Sequence, residues 1–195
     1  MSKQIPILFN GDMVRAILDG EKTQTRRPIK RPEQWMIEFN GKSHTYQDEY
    51  GDTCNVLEFS PFGKAGDVLW VRETFCEGYT YGGGDAAIYY KASNGDGRFK
   101  ERISARCGSC NPVNPKWKPS IHMPKWACRT KLRVKRIWVE RVQDITWEGA
   151  RAEGIKPDGI GSDFADVEAF KILWNSIYGT WSDNPWVWAC EFEVI

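Results

Sequence analysis

No run of apolar residues in this 195-residue chain approaches the roughly 20 needed to span a bilayer, so no transmembrane anchor is expected. The opening Met1-Ser2-Lys3-Gln4-Ile5-Pro6 lacks the basic start, apolar centre and small-residue cleavage site of a secretory leader, and the cytoplasm is the expected compartment. Net charge is also nearly missing. At a formal +1 the molecule has almost no long-range field, so any nucleic-acid binding must come from local clustering of Lys and Arg. Internal repeats and a low-complexity tail are absent as well.

What is present is the composition of an ordinary globular protein, 41% hydrophobic and 27% charged, long enough to bury a sizeable core. We read residues 1–195 as a single domain with insertions at about 31–61 and 79–118. The 10 Trp suit either a densely packed small barrel or stacking surfaces for bases. Six cysteines without a secretion signal read as thiols or metal ligands rather than a disulfide framework.

Ile5, Ile7, Leu8 and Phe9 form a short opening strand, after which Asn10 can cap a helix whose face carries Met13, Val14, Ile17 and Leu18 and which Gly20 stops. From Arg31 to Pro61 the sequence is polar and without sustained period, as in hairpins and loops. Lys64 to Phe75 is a turn feeding a strand whose apolar run implies burial on both faces, and Ala87 to Lys91 is a further strand. Residues from about Ser93 to Pro124 are too irregular for long elements. Leu132 and Val134 alternate with Lys131, Arg133 and Lys135, and then Ile137 and Val139 resume in opposite phase, as a bulge requires. Thr146 can cap a short helix through Glu153, ended by Gly154. Ser162 or Asp163 can cap a longer one with the stripe Phe164, Val167, Phe170, Leu173, Trp174 and Ile177. Trp186 to Ile195 is a closing strand. Few helices among many short strands predict an α+β fold built on a small β-barrel with flanking helices and an irregular insertion.

The helix terminator followed by Gly20-x-Lys22-x-x-Thr25-x-Arg27, the later Gly66-Asp67-x-Leu69 strand and the Trp186-to-Phe192 strand resemble the ASCH family, relatives of the PUA RNA-binding modules. The opening Pro6-Ile7-Leu8-Phe9 and the segment Pro119-Ser120-Ile121-His122-Met123-Pro124 resemble in particular a group of phage and prophage ASCH-like proteins, sometimes labelled morphogenetic. The resemblance covers most of the chain except roughly 34–60 and 79–115. It implies a PUA-like barrel, the host cytoplasm if phage-encoded, and a modified nucleoside or nucleic acid, RNA rather than DNA, as partner. Within the family, a bacterial subfamily of amidohydrolases removes the acetyl group from N4-acetylcytidine. Its lysine and threonine correspond to Lys22 and Thr25 as proton acceptor and nucleophile, and its glutamate to Glu153 as proton donor. This chain departs from that subfamily in its greater length and in having Arg26 beside Arg27. A non-catalytic RNA-binding or DNA-binding module and a phage assembly or interaction protein are the rival classes.

The chemistry makes a demand on the fold. A threonine hydroxyl is a poor nucleophile at neutral pH, so Lys22 must lose its proton to activate Thr25. Bringing a lysine from its usual pKa of roughly 10.4 to near neutrality takes about 4 kcal/mol of desolvation and nearby positive charge, which Arg26 and Arg27 would supply in part. The plainer reading is a solvated surface turn in which Thr25 only satisfies backbone donors.

Binding candidates lie elsewhere too. Lys125, Arg129, Lys131, Arg133 and Lys135 share parity, so a continuous strand would present them on one face to phosphates, or simply to water. Arg72, His122, Trp117 and Trp126 join them as ligand or nucleic-acid contacts, the two tryptophans by stacking. Cys107-x-x-Cys110, with His122 and Cys128 downstream, has the ligand types and first spacing of a zinc site, but its downstream spacing matches no standard finger. We therefore expect no cofactor, with loop thiols at these positions.

Overall fold

The computed structural model describes residues 2–30, 36–39, 44–47, 53–79, 86–93, 101–102, 116–155 and 163–195. Among the described residues the fold is mixed α+β, mostly sheet with three α-helices. Its central sheet has five strands, β1 (Gln4–Leu8), β2 (Gln24–Pro28), β6 (Val68–Arg72), β10 (Lys131–Arg141) and β11 (Trp186–Val194), in the order β1-β6-β10-β11-β2. β1 runs parallel to β6 and the remaining pairs are antiparallel. Two small sheets flank it. One is β3 (Met36–Phe39), β4 (His44–Gln47) and β5 (Thr53–Asn55), and the other is β7 (Phe75–Tyr79), β8 (Ala86–Tyr90) and β9 (Glu101–Arg102).

The expected barrel does not close. Among the described residues no ladder joins β1 to β2, the two edges of the central sheet. Hydrogen-bond parity explains why. In the β1–β6 ladder Val68 N donates to Lys3 O and Phe9 N to Arg72 O, so the peptide groups of residues 4, 6 and 8 point away from β6. On the other edge Ile29 N donates to Trp186 O, so residues 26 and 28 point away from β11. Pro6 and Pro28 fall on these outward positions, where their missing N–H removes the donors a further ladder would need.

Three helices complete the fold. In α1 (Gly11–Leu18) the Asn10 side chain accepts from Met13 N at 2.8 Å, and Val14, Ala16 and Ile17 are buried. Gly20, at φ +77°, then reverses the chain, and Glu21 N and Lys22 N both donate to Ala16 O, folding Lys22 back under the helix. α2 (Trp147–Ala152) is capped by Thr146, whose hydroxyl accepts from Gly149 N, and ends at Glu153 and Gly154. α3 (Asp163–Ile177) buries Phe170 and Trp174 against α2 and the sheet, but leaves Phe164 at 77% and Ile177 at 44% exposure, so its apolar stripe is shorter than the periodicity implies. The Ser162 cap lies outside the described residues. The phase change in β10 is real, with the register shifting between Val134 and Arg136, and both halves serve one core through Leu132, Val134 and Val139. The long strand expected to Phe75 is instead two, broken at Glu73 and Thr74.

Candidate functional site

β2 alternates across the sheet. Thr25 and Arg27 share the inner face with their register partners Cys190 and Trp188, while Arg26 lies on the outer face opposite Ala189. Lys22 precedes the strand and forms an antiparallel bridge with Glu153 at the end of α2, where Thr23 N donates to Ala152 O. Two segments remote in sequence are thus joined at the edge of β2.

The side chains converge there. Lys22 Nζ donates to the Glu153 carbonyl at 2.9 Å and contacts Glu153 Oε2 directly, with side chains only 0% and 4% exposed. Arg26 Nη1 lies 3.3 Å from Glu153 Oε1, and its Nε donates to Glu140 Oε1 at 2.6 Å, a carboxylate also held by Trp138 Nε1. Arg27 donates to Leu8 O at 2.9 Å and to the Tyr178 hydroxyl at 3.4 Å. Lys22 and Arg27 both stand over the Phe9 ring, at 5.7 and 5.4 Å. Three cationic side chains face two carboxylates, so the cluster holds one excess positive charge. Burial pulls the Lys22 ammonium below its ordinary pKa, and Arg27 and Arg26 push the same way while Glu153 opposes them.

Thr25 is wholly buried, and its hydroxyl has no hydrogen-bond partner among the described residues. Neither Lys22 nor any other described group hydrogen-bonds to that hydroxyl, and Gln24 and Thr130 also hold buried side-chain oxygens without a partner among the described residues. Glu153 lines a cavity of about 280 Å³ with Asn10 and Met13, and Lys22 lines one of about 470 Å³ with Lys135 and Glu191. Thr25 lines neither.

The chain matches no protein-family model, no curated protein and no solved structure. The site therefore rests on its own geometry.

Four participants were not singled out from sequence. Glu140 and Phe9 reach the cluster only through sheet order. Gly149 makes room for Arg26, since a Cβ there would lie 2.9 Å from Arg26 Nη2; a glycine inside a helix is a signal that could have found it. Cys190, facing Thr25, has its thiol pushed up to about 12 by burial and by the Glu153 and Glu191 carboxylates, which removes it as a competing nucleophile.

The other candidates do not join the site. Arg129 is not part of a basic face: it precedes β10 and turns inward, where its guanidinium forks onto Glu73 at 2.8 and 2.9 Å and lies 4.1 Å over the Tyr90 ring. Lys131, Arg133 and Lys135 are exposed as alternation requires, yet Arg133 pairs with Glu193 at 3.1 Å and Lys135 with Glu191 at 2.9 Å, so the stripe is largely neutralised. Arg72 stacks on Trp70 and donates to Ile121 O. His122 is exposed, Trp117 half-buried and Trp126 52% exposed, all outside the five strands of the central sheet. Cys107 and Cys110 lie outside the described residues. Cys128 donates to Thr130 O, and burial raises its pKa, which favours the thiol over a metal-binding thiolate. Among the described residues no cluster of His, Cys, Asp and Glu suits a metal. No described helix is long and apolar enough to cross a membrane.

Proposed function

We propose that the chain is an ASCH-type, PUA-like protein whose barrel is left open at the β1–β2 edges, and that it is an amidohydrolase for N4-acetylcytidine or a related acylated base. The observation that carries this reading is the buried contact between Lys22 and Glu153, 131 residues apart, three positions along the chain from the buried Thr25, whose hydroxyl has no hydrogen-bond partner among the described residues.

The steps follow from the atoms. The step starts from the unprotonated form of Lys22, which burial favours: Thr25 Oγ1 attacks the acetyl carbonyl carbon while the neutral Lys22 Nζ takes the hydroxyl proton and becomes an ammonium. The excess positive charge of Lys22, Arg26 and Arg27 favours the oxyanion so formed. The C–N4 bond breaks, and the proton passes from Lys22 through Glu153, its direct contact, to the departing amine. Water then attacks the threonyl ester, Lys22 again takes the proton, and acetate leaves as Thr25 recovers its hydrogen. Arg26 and Glu140 fix the Glu153 carboxylate for the transfer.

The test is cytidine release from N4-acetylcytidine by the purified chain. Lys22→Met, Thr25→Val and Glu153→Gln are each expected to lower kcat by about 100-fold or more. Absence of release by the wild type defeats the reading. A binding-only protein would retain nucleoside without turnover in the same assay.

A further inference from the structure

Between β1, β2 and the segment 59–62 lies a cavity of about 500 Å³, within the range of small-ligand sites. Ile7, Ile29, Phe62 and Trp188 wall it and are each at most 7% exposed, so its inner surface belongs to the packed core. At its mouth stand Leu8, 42% exposed, and Phe59, 47% exposed. The slot offers apolar contact to a ligand body from side chains already held in place.

The charge along the wall is of one sign. Arg27 and Lys30 are the only ionisable lining residues, and no carboxylate lines the cavity. Arg27 is half-buried, yet its guanidinium is held by neutral oxygens alone, the Leu8 carbonyl at 2.9 Å, the Arg26 carbonyl at 3.3 Å and the Tyr178 hydroxyl at 3.4 Å. Among the described residues neither Arg27 nor Lys30 has an anionic partner, whereas Lys22, Arg26, Arg129 and Lys135 each have one. A guanidinium drawn partly out of water without a counter-ion favours an anion beside it, and its planar fork matches the two oxygens of a carboxylate. The larger head of a phosphate suits the wall less, since Pro6 and Pro28 have no N–H for its additional oxygen.

We propose that this cavity is a binding site for a monocarboxylic acid with an apolar body, its carboxylate held at Arg27 and Lys30 and its chain packed against Ile7, Phe62 and Trp188. The site needs neither Thr25 nor the hydrolase chemistry, so the presence or absence of cytidine release does not bear on it.

Calorimetric titration of the intact chain with hexanoate, octanoate, hexanamide and hexyl phosphate tests it. Hexanoate is expected to bind at least about tenfold more tightly than hexanamide, because only the acid carries charge. Octanoate should gain about tenfold over hexanoate from its further methylenes, and hexyl phosphate should bind more weakly than hexanoate. Leu8→Trp fills the mouth and should weaken octanoate by about tenfold. Lys30→Glu, at an exposed position, should cut the preference for acid over amide by at least about fivefold with unchanged melting, which keeps the test decisive even if Leu8→Trp folds poorly. Equal affinity for acid and amide, no octanoate binding at millimolar concentration, a phosphate tighter than the acid, or octanoate binding untouched by both substitutions overturns the site.

Discussion

Glu153→Gln should be the more damaging of the two changes that break the Lys22–Glu153 pair, and its effect should fade as pH rises. The wild-type carboxylate neutralises Lys22 by direct contact and Arg26 at 3.3 Å, with all three side chains at most 4% exposed. Removing it strands two cations in a dry site with only Glu140 nearby, a loss of about 3–5 kcal/mol by the behaviour of broken buried pairs. Lys22→Met removes a charge that burial already disfavours and leaves Glu153 with Arg26, so about 1–3 kcal/mol is expected. The double variant should be milder than the sum by about 1.5 kcal/mol or more. The pH sign follows from linkage. Both influences that raise the Lys22 pKa come from Glu153, so in Glu153→Gln the folded-state value drops further below 10.5 while the unfolded value stays. Between the two values the unfolded chain binds one more proton, and stability rises with pH by up to about 1.4 kcal/mol per unit. The deficit of Glu153→Gln relative to wild type should therefore shrink between the variant's folded pKa and the wild type's. Urea unfolding followed by circular dichroism at several pH values measures it. A pH-independent deficit, or a Lys22→Met loss larger than that of Glu153→Gln, would refute the charge accounting.

The other expectations are simpler. Gly154→Ala should destabilise by about 2–4 kcal/mol, because at φ +84° its Cβ would lie 2.8 Å from Ala16 Cβ and 3.1 Å from Lys22 Cβ; Gly20→Ala, at φ +77° with nothing within 4 Å, should lose only about 1–2 kcal/mol, and the same unfolding assay ranks them. Cys190, its thiol pushed up to about 12, should resist iodoacetamide in the native chain at pH 8 and react once the chain is unfolded, as peptide mass spectrometry would report. Arg133→Ala should change stability by less than about 1 kcal/mol, since its partner Glu193 is as exposed as it is.

Local signals carried well from sequence to structure where the deciding atoms are close along the chain. Asn10, Gly20, Thr146 and Gly154 mark helix ends because capping involves residues three or four apart, and the phase change after Val134 marks the bulge because side-chain alternation is local. Arg129 failed for a related reason: parity was extended two residues upstream of where the strand begins, and outside the ladder nothing holds a side chain to one face. The break at Glu73 was hidden inside an apolar run, since a buried carboxylate forked by Arg129 leaves no mark in periodicity. Lys22, Thr25 and Glu153 came from a resemblance, and no pattern in the residues would have joined them. Arg26 meets Glu140 only because β11 lies between β2 and β10, an order that hydrophobic periodicity does not encode.

That order also explains why the cluster forms at an edge. β1 and β2 sit at opposite ends of the five-strand sequence of neighbours, yet only residues 9–23 connect them, and eight of those are spent in a helix about 12 Å long. Five strands at about 4.8 Å spacing would hold the edge strands some 19 Å apart if the sheet were flat, with the short turn residues left to bridge the rest. The Arg27 hydrogen bond to Leu8 O requires far less, so the sheet must coil until its edges nearly meet. Two prolines then stop the final ladder from forming. What remains is an edge strand with one face in the core, a helix end docked on its outer side and a cavity on its seam. That is a position where Lys22 and Glu153, both buried, can each line a surface cavity while Thr25 stays in the core.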